Sequence, residues 1–154
     1  MNTEVTLLER VMNEIGPDCS DIAAVFRDDE DSWAVQLDSG AIVNVARRSD
    51  PARVEMIVLA GTAPMGSRED VLRALLMFNF LSPDTGAARM GLGAADDGVY
   101  LIRDLHESDI TTRSLHAEMQ ALAAVAGRWG EFLQKAAQGH ELPPLPAEAL
   151  GAQA

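Results

Sequence analysis

Apolar residues crowd most densely into Ser67–Pro83, SREDVLRALLMFNFLSP. The stretch predicts one short helix. Ser67 is a favourable N-cap with Asp70 three residues on, a weaker form of the capping box. Glu69 and Asp70 put negative charge at the positive end of the helix dipole. Pro83 forbids continuation, and Asn79 or Ser82 can close the last turn. Inside, Val71, Leu72, Leu75, Leu76, Phe78, Asn79 and Phe80 cover well over half the circumference. A helix apolar on one stripe packs on one surface, and this one has apolar groups left over for a second. That second surface is either a deeper core or another subunit.

On either side the pattern alternates between helical and strand spacing. Thr3–Ile15 is an amphipathic helix: Val5, Leu8, Met12 and Ile15 keep the helical period, Leu7 and Val11 widen the stripe, and Gly16-Pro17 ends it. Ile22–Phe26 is apolar and fits either a first strand or a linker under the sheet. Ser32–Asp38 sets Trp33, Val35 and Leu37 against Ala34, Gln36 and Asp38, the period of a half-buried strand. Ala41–Arg48 and Arg53–Gly61 follow as strands, separated by Ser39-Gly40 and Asp50-Pro51. Ile57–Ala60 is apolar on both faces, which makes the third strand central. Turns this short imply an antiparallel meander. Ala87–Gly93 and Val99–Leu105 form a second pair of strands joined by GAADDG, with Asp97-Gly98 its strongest turn signal. Gly91 and Gly93 are turn and bulge glycines, because GLG lacks a P-loop lysine and precedes a strand. Asp109–Ala137 is the longest helix, with Ile110, Leu115, Met119, Leu122, Val125, Ala126, Trp129, Phe132 and Leu133 on its apolar face. Gly127 and Gly130 allow another backbone to approach it closely. Residues 138–154, containing PPLP among alanines, are a frayed tail behind one folded domain of residues 1–137. Helices on an antiparallel sheet, in the order α-β-β-β-α-β-β-α, make an α+β sandwich.

Charge narrows the function. The net charge is −12 and there is a single lysine, Lys135. Phosphate contacts need clustered Lys and Arg, so nucleic acid and anionic membranes are excluded as partners. The acidity serves solubility, or helps hold a sticky or basic partner in solution. One cysteine, Cys19, allows no internal disulfide; with no signal-peptide pattern and no apolar run of spanning length, the expected compartment is the cytoplasm.

Candidate chemistry is thin. DDED at residues 28–31 lacks the ligand spacing of a calcium loop and is a solvated turn. His106, His116 and His140 share no metal-ligand spacing with one another or with Cys19, and no GxSxG elbow is present. The expectation is a protein that is not an enzyme and uses no cofactor or metal.

Five features in order carry a resemblance: the opening amphipathic helix, WAVQLDSGAIVNV, the LLMFNF helix, MGLGAADDGVYLIRDL, and the final helix bearing Trp129. Across Thr3–Ala137 the chain resembles the class I type III secretion chaperones, the CesT-like family of small acidic bacterial proteins. The tail and the long Asp18–Asp31 segment depart from the family pattern. The resemblance implies a cytoplasmic homodimer that binds the N-terminal region of a secreted effector, keeping it extended, soluble and export-competent without ATP. It implies a dimer interface at Leu72, Leu75, Leu76 and Asn79. It implies effector contacts at Val5, Leu8 and Met12, with Met90, Leu92, Tyr100 and Ile102 from the second strand pair. The alternatives are a dimeric regulatory or adaptor domain of the same fold with a folded protein partner, and a small enzyme with a ligand pocket between sheet and last helix.

Overall fold

The structure, a computed structural model, describes residues 5–81 and 88–139. Thr3 and Glu4, Ser82, Pro83, Ala87, His140 and the PPLP tail lie outside the described residues. The elements are α1 (Leu7–Asp18), β1 (Ile22–Asp29), β2 (Ser32–Leu37), β3 (Ile42–Ser49) and β4 (Ala52–Thr62). They continue as α2 (Arg68–Phe80), β5 (Arg89–Leu92), β6 (Gly98–Leu105) and α3 (Thr112–Ala137). The strands form one six-stranded sheet in the order β1-β2-β3-β4-β6-β5, so β4 is central as its two apolar faces predict. The chain divides into two compact units, Met1–Ile57 with Asp104–Ala121, and Val58–Arg103 with Leu122–Ala154.

In the first unit, Leu8, Val11, Met12 and Ile15 of α1 are buried, as are Trp33, Val35, Leu37, Val43, Val45, Val54 and Met56 of the strands. Three element boundaries differ from the pattern. Helix α1 starts later, capped by the Thr6 hydroxyl, which accepts the Glu9 amide at 3.1 Å. It also runs through Gly16-Pro17 instead of ending there, and the Cys19 amide closes its last turn on the Ile15 carbonyl at 3.2 Å. Proline's missing N–H costs a single bond so close to a helix end. Helix α3 starts at Thr112 rather than Asp109 because Thr111 and Ser114 cap each other. The Ser114 amide donates to the Thr111 hydroxyl at 3.0 Å and the Thr111 amide to the Ser114 hydroxyl at 2.8 Å.

Ile22–Phe26 resolves as a strand, β1, extending to Asp29 and paired antiparallel with β2. Its register shifts between Ile22 and Ala24 and again between Arg27 and Asp29, and two such irregularities hide the period-two pattern from the sequence. DDED straddles the β1–β2 turn and is largely exposed, as a solvated turn should be. Arg27 braces the hairpin: it lies 5.2 Å from the centre of the Trp33 ring and donates to Glu9 at 2.9 Å and to the Asp29 and Glu30 carbonyls.

The start of β1 is held by Asp21. Its carbonyl accepts the Asp38 amide at 2.9 Å, and its carboxylate accepts His116 Nε2 at 2.7 Å and the Gln120 side-chain amide. Thr112 donates to Glu14 at 2.9 Å and ties the same end of α3 to α1.

In the second unit Trp129 is fully buried. Phe78 and Phe132 meet it edge to face, with centroids 5.9 and 5.6 Å away. Its indole N–H finds no hydrogen-bond partner among the described residues. A Cβ on Gly130 would stand 2.9 Å from the Ala60 carbonyl, so α3 touches β4 through this glycine; nothing lies within 4 Å of the corresponding point on Gly127. Ser67 occupies the N-cap of α2, but its hydroxyl donates to the Ala136 carbonyl at 3.4 Å instead of capping the helix.

Two outcomes follow from this packing. Trp129→Ala should cost about 3–5 kcal/mol in urea unfolding. Trp129→Phe should cost markedly less, because it removes an N–H that has no partner to lose. The second concerns pH. Partial burial pushes the Asp21 carboxyl up, but hydrogen bonds from His116, its own backbone amide and Gln120, with the charge of His116, outweigh it and hold the group below the usual carboxylate range. A carboxyl held low in the fold gives stability that is fully present above its unfolded value of about 3.9 and is lost as pH falls through the folded value. The urea midpoints of the native protein and Asp21→Asn should therefore differ at neutral pH and converge in strong acid. A gap that persists in strong acid would show that the carboxylate's charge is not its source.

Candidate functional site

Helix α2 shows how one sequence makes two faces. Val71, Ala74, Leu75 and Phe78 are buried within the chain. One position round the helix, Arg73, Leu76, Met77 and Phe80 recur at the same helical spacing and face outward. Leu76 is 70% exposed, Met77 50% and Phe80 85%. With Leu81 they line an open groove of about 440 Å³ whose walls are almost wholly apolar.

Of the four interface residues expected from the sequence, Leu76 stands outward, Leu72 is half-buried and Leu75 packs inside its own chain. The Asn79 side chain neither closes the helix nor points away. Its amide donates to the Met90 carbonyl at 3.0 Å and its oxygen accepts the Met90 amide at 2.7 Å, which pins β5 to α2. Met77 and Phe80 complete the outward stripe. The signal for them was available in the spacing 73, 76, 77, 80.

The residues expected to touch an extended partner separate in a similar way. Val5 is exposed just ahead of α1, whereas Leu8 and Met12 are buried. Met90 pairs with Leu101 and Leu92 with Val99, so Met90 and Leu92 share the face on which Leu101 and Val99 are buried. Gly91 pairs with Tyr100 and Arg89 with Ile102, so Tyr100 and Ile102 stand half-buried on the opposite face. The four do not form one patch.

Tyr100 is fixed by its own hairpin. Its hydroxyl donates to Asp96 at 2.8 Å, and Asp96 also accepts the Gly98 amide at 2.9 Å. The hydrogen bond to Asp96, partial burial and the Asp96 charge push the Tyr100 phenol up. The Gly98 amide and the phenol hold Asp96 below the usual carboxylate range. Asp97 takes the left-handed conformation at φ 54°, as its turn position requires, and its carboxylate holds Arg68 at 2.7 Å. A Cβ on Gly93 would stand 2.3 Å from Asp96 Oδ1, so glycine there serves the turn.

The remaining polar groups have structural work. Glu55 is buried on β4 and is paired with Arg48 at 3.1 Å and Arg53 at 3.6 Å; Arg53 also reaches Asp104 at 3.4 Å. A recess of about 250 Å³ where β6 leads into α3 is lined by Asp104, Leu105, His106, Asp109, Ile110, Ser114 and Glu118. Burial, Asp21 and Asp18 push the Cys19 thiol up, away from the reactive thiolate. Among the described residues, no group of three or more His, Cys, Asp or Glu side chains is placed to hold a metal ion, and no helix is long and apolar enough to cross a membrane.

The same arrangement of helices and sheet occurs in solved structures. A chain of the HopA1-SchA chaperone-effector complex matches with a TM-score of 0.65 at 14% identity, over 81% of this chain and 94% of that one. A chain of the ExsC-ExsE complex matches with a TM-score of 0.68 at 16% identity, over 82% and 92%. At such identities the likeness is one of fold. Comparison with curated protein sequences returns no match. The model of the Tir chaperone protein (CesT) family matches residues 12–130, most of the folded chain, and the protein belongs to that family.

Proposed function

We propose that this protein is a type III secretion chaperone, a homodimer in the bacterial cytoplasm that binds the N-terminal region of a secreted effector. It keeps that region extended, soluble and ready for export, without catalysis, ATP or a cofactor. The observation that carries the reading is the open apolar stripe of α2 in a member of the CesT family. Leu76, Met77 and Phe80 face outward where a second copy of the chain would bury them, since a two-fold interface sets the same patch against itself. Leu72 and Asn79 border that contact, and Leu75 supports it from within. Effector contacts are offered by the exposed Val5 and, on the two faces of the second strand pair, by the half-buried Leu92, Tyr100 and Ile102, while Leu8, Met12 and Met90 are buried. The open edge of the sheet offers backbone groups to which an extended client adds as a strand.

Purification of the protein from its native cell, with the mass of whatever accompanies it, tests the reading. The expected complex is two copies with one larger protein, retained through that protein's N-terminal region. A lone monomer that responds only to a small molecule would refute it. The interface has its own test. Leu76→Ala removes roughly 1.5 kcal/mol of burial from each copy, so sedimentation should show the dimer weakened by on the order of 100-fold. Leu76→Glu should give a folded monomer, because this side chain is 70% exposed in its own chain. Leu75→Glu should unfold the protein by placing a charge in the core. If Leu76→Glu sediments as a dimer, the contact lies elsewhere.

A further inference from the structure

The chain has seven methionines, and all but Met1 lie among the described residues. Met12, Met56, Met90 and Met119 are buried, each 5% exposed or less. Met65 and Met77 stand apart at 89% and 50%. Their settings differ. Met65 sits on the short helical turn Met65–Ser67 that leads into α2 and takes no part in the apolar groove. Met77 lies in the middle of the outward stripe and lines the groove with Leu76, Phe80 and Leu81. The one polar side chain lining that groove, Arg73, is paired at 3.6 Å with Glu69, one turn back on α2.

A thioether that water can reach, peroxide can reach. The sulfur lone pair attacks one oxygen of hydrogen peroxide, an S–O bond forms, the O–O bond breaks, and water leaves. Sulfur loses two electrons and the peroxide gains them. The product, methionine sulfoxide, is polar where the thioether was apolar. On a separate chain the Met77 sulfoxide faces water and costs the fold little. Pressed against a second apolar stripe it loses that hydration, and Leu76, Phe80 and Leu81 offer no side-chain donor in return. The same change at Met65 falls outside the stripe.

We propose that Met77 is an oxidation site that controls pairing through α2. A hydroperoxide converts it to the sulfoxide and the dimer separates. A methionine sulfoxide reductase restores the thioether, taking two electrons from a dithiol, which becomes a disulfide as the oxygen leaves in water. The proposal rests on the homodimer reading, because it needs a second copy on the α2 stripe. Pairing and oxidation then oppose each other by linkage. A second copy shields the Met77 sulfur from peroxide, and an oxidised Met77 disfavours the second copy. Peroxide therefore acts on Met77 through the separated chain, whereas Met65 stays open in both states.

The test treats the intact protein with hydrogen peroxide over a range of protein concentrations. Peptide mass spectrometry follows each methionine, and sedimentation follows the dimer. Met65 should oxidise at one rate throughout. Met77 should oxidise readily in dilute solution and about tenfold more slowly where sedimentation shows the dimer. Protein oxidised at Met77 should pair about tenfold or more weakly, the loss expected when a large apolar contact turns polar. Its circular dichroism should stay native, and reductase with dithiothreitol should bring the pairing back. Met77→Leu, compared with its own untreated dimer, should show no response to peroxide. It retains Cys19 and the other methionines, so it assigns the effect to Met77. Met65→Leu should respond as the native chain does. Three results would each overturn the proposal: unchanged pairing after Met77 is oxidised, an equal response from Met77→Leu, and a Met77 rate that ignores protein concentration. In all three the untreated protein still sediments as a dimer, so the homodimer reading survives. Untreated protein that is monomeric at every concentration overturns that reading, and the proposal falls with it.

Discussion

Helix α2 carries apolar side chains around most of its circumference, and one chain buries only half of them. The inner half is obligatory. Phe78 meets Trp129, Leu75 and Val71 are closed off from water, and Asn79 satisfies both backbone groups of Met90. Those contacts fix the rotation of the helix about its axis. Once they are made, Leu76, Met77 and Phe80 have only one direction to face. The outward stripe is thus a consequence of how the inner face packs, and a charge placed on one face has a different meaning from the same charge on the other.

The sequence pattern predicts this division only in part. It registers that α2 is apolar around most of its circumference, but it leaves out Met77 and does not sort the positions into inner and outer sets. Leu72, Leu75, Leu76 and Asn79 read alike from the sequence, whereas the fold buries one, exposes one, leaves one between and turns the fourth to a strand. That sorting depends on where Trp129 and β5 lie, which local spacing does not encode. The strands β2, β3 and β4 were legible to within a residue or two, because Trp33, Val35 and Leu37 and then Val54, Met56 and Val58 alternate without interruption. Strand β1 was ambiguous because its register slips twice. The starts of α1 and α3 differ from the pattern because capping is settled by individual hydroxyls, Thr6 and Thr111, and not by periodicity. The sequence leaves open which alternate face of the second strand pair is exposed, and the register puts Met90 and Leu92 on one face and Tyr100 and Ile102 on the other.

The charge and the exposed apolar groups belong to one argument. A chain that leaves Leu76, Phe80, Phe26 and Ile42 partly in water carries an aggregation liability. A net charge of −12 opposes it by making copies repel at long range. The repulsion is distributed unevenly. Residues 42–154, which contain α2, hold fourteen acidic against ten basic side chains, while the first 41 residues are far more one-sided. A second copy therefore meets its weakest electrostatic barrier on the part of the chain that includes the α2 stripe. It meets its strongest around β1.

That asymmetry separates two kinds of association that would otherwise compete. Both α2 and the outer face of β1–β3 offer apolar side chains, and hydrophobic contact alone does not distinguish among partners. Charge supplies the distinction that the apolar groups lack. Near α2 the acidic and basic side chains are closest to balance, so an identical chain meets little repulsion there. Around β1 the excess of acidic side chains repels an identical chain. A single acidic sequence, uneven along its length, can in this way set different electrostatic barriers at two apolar faces.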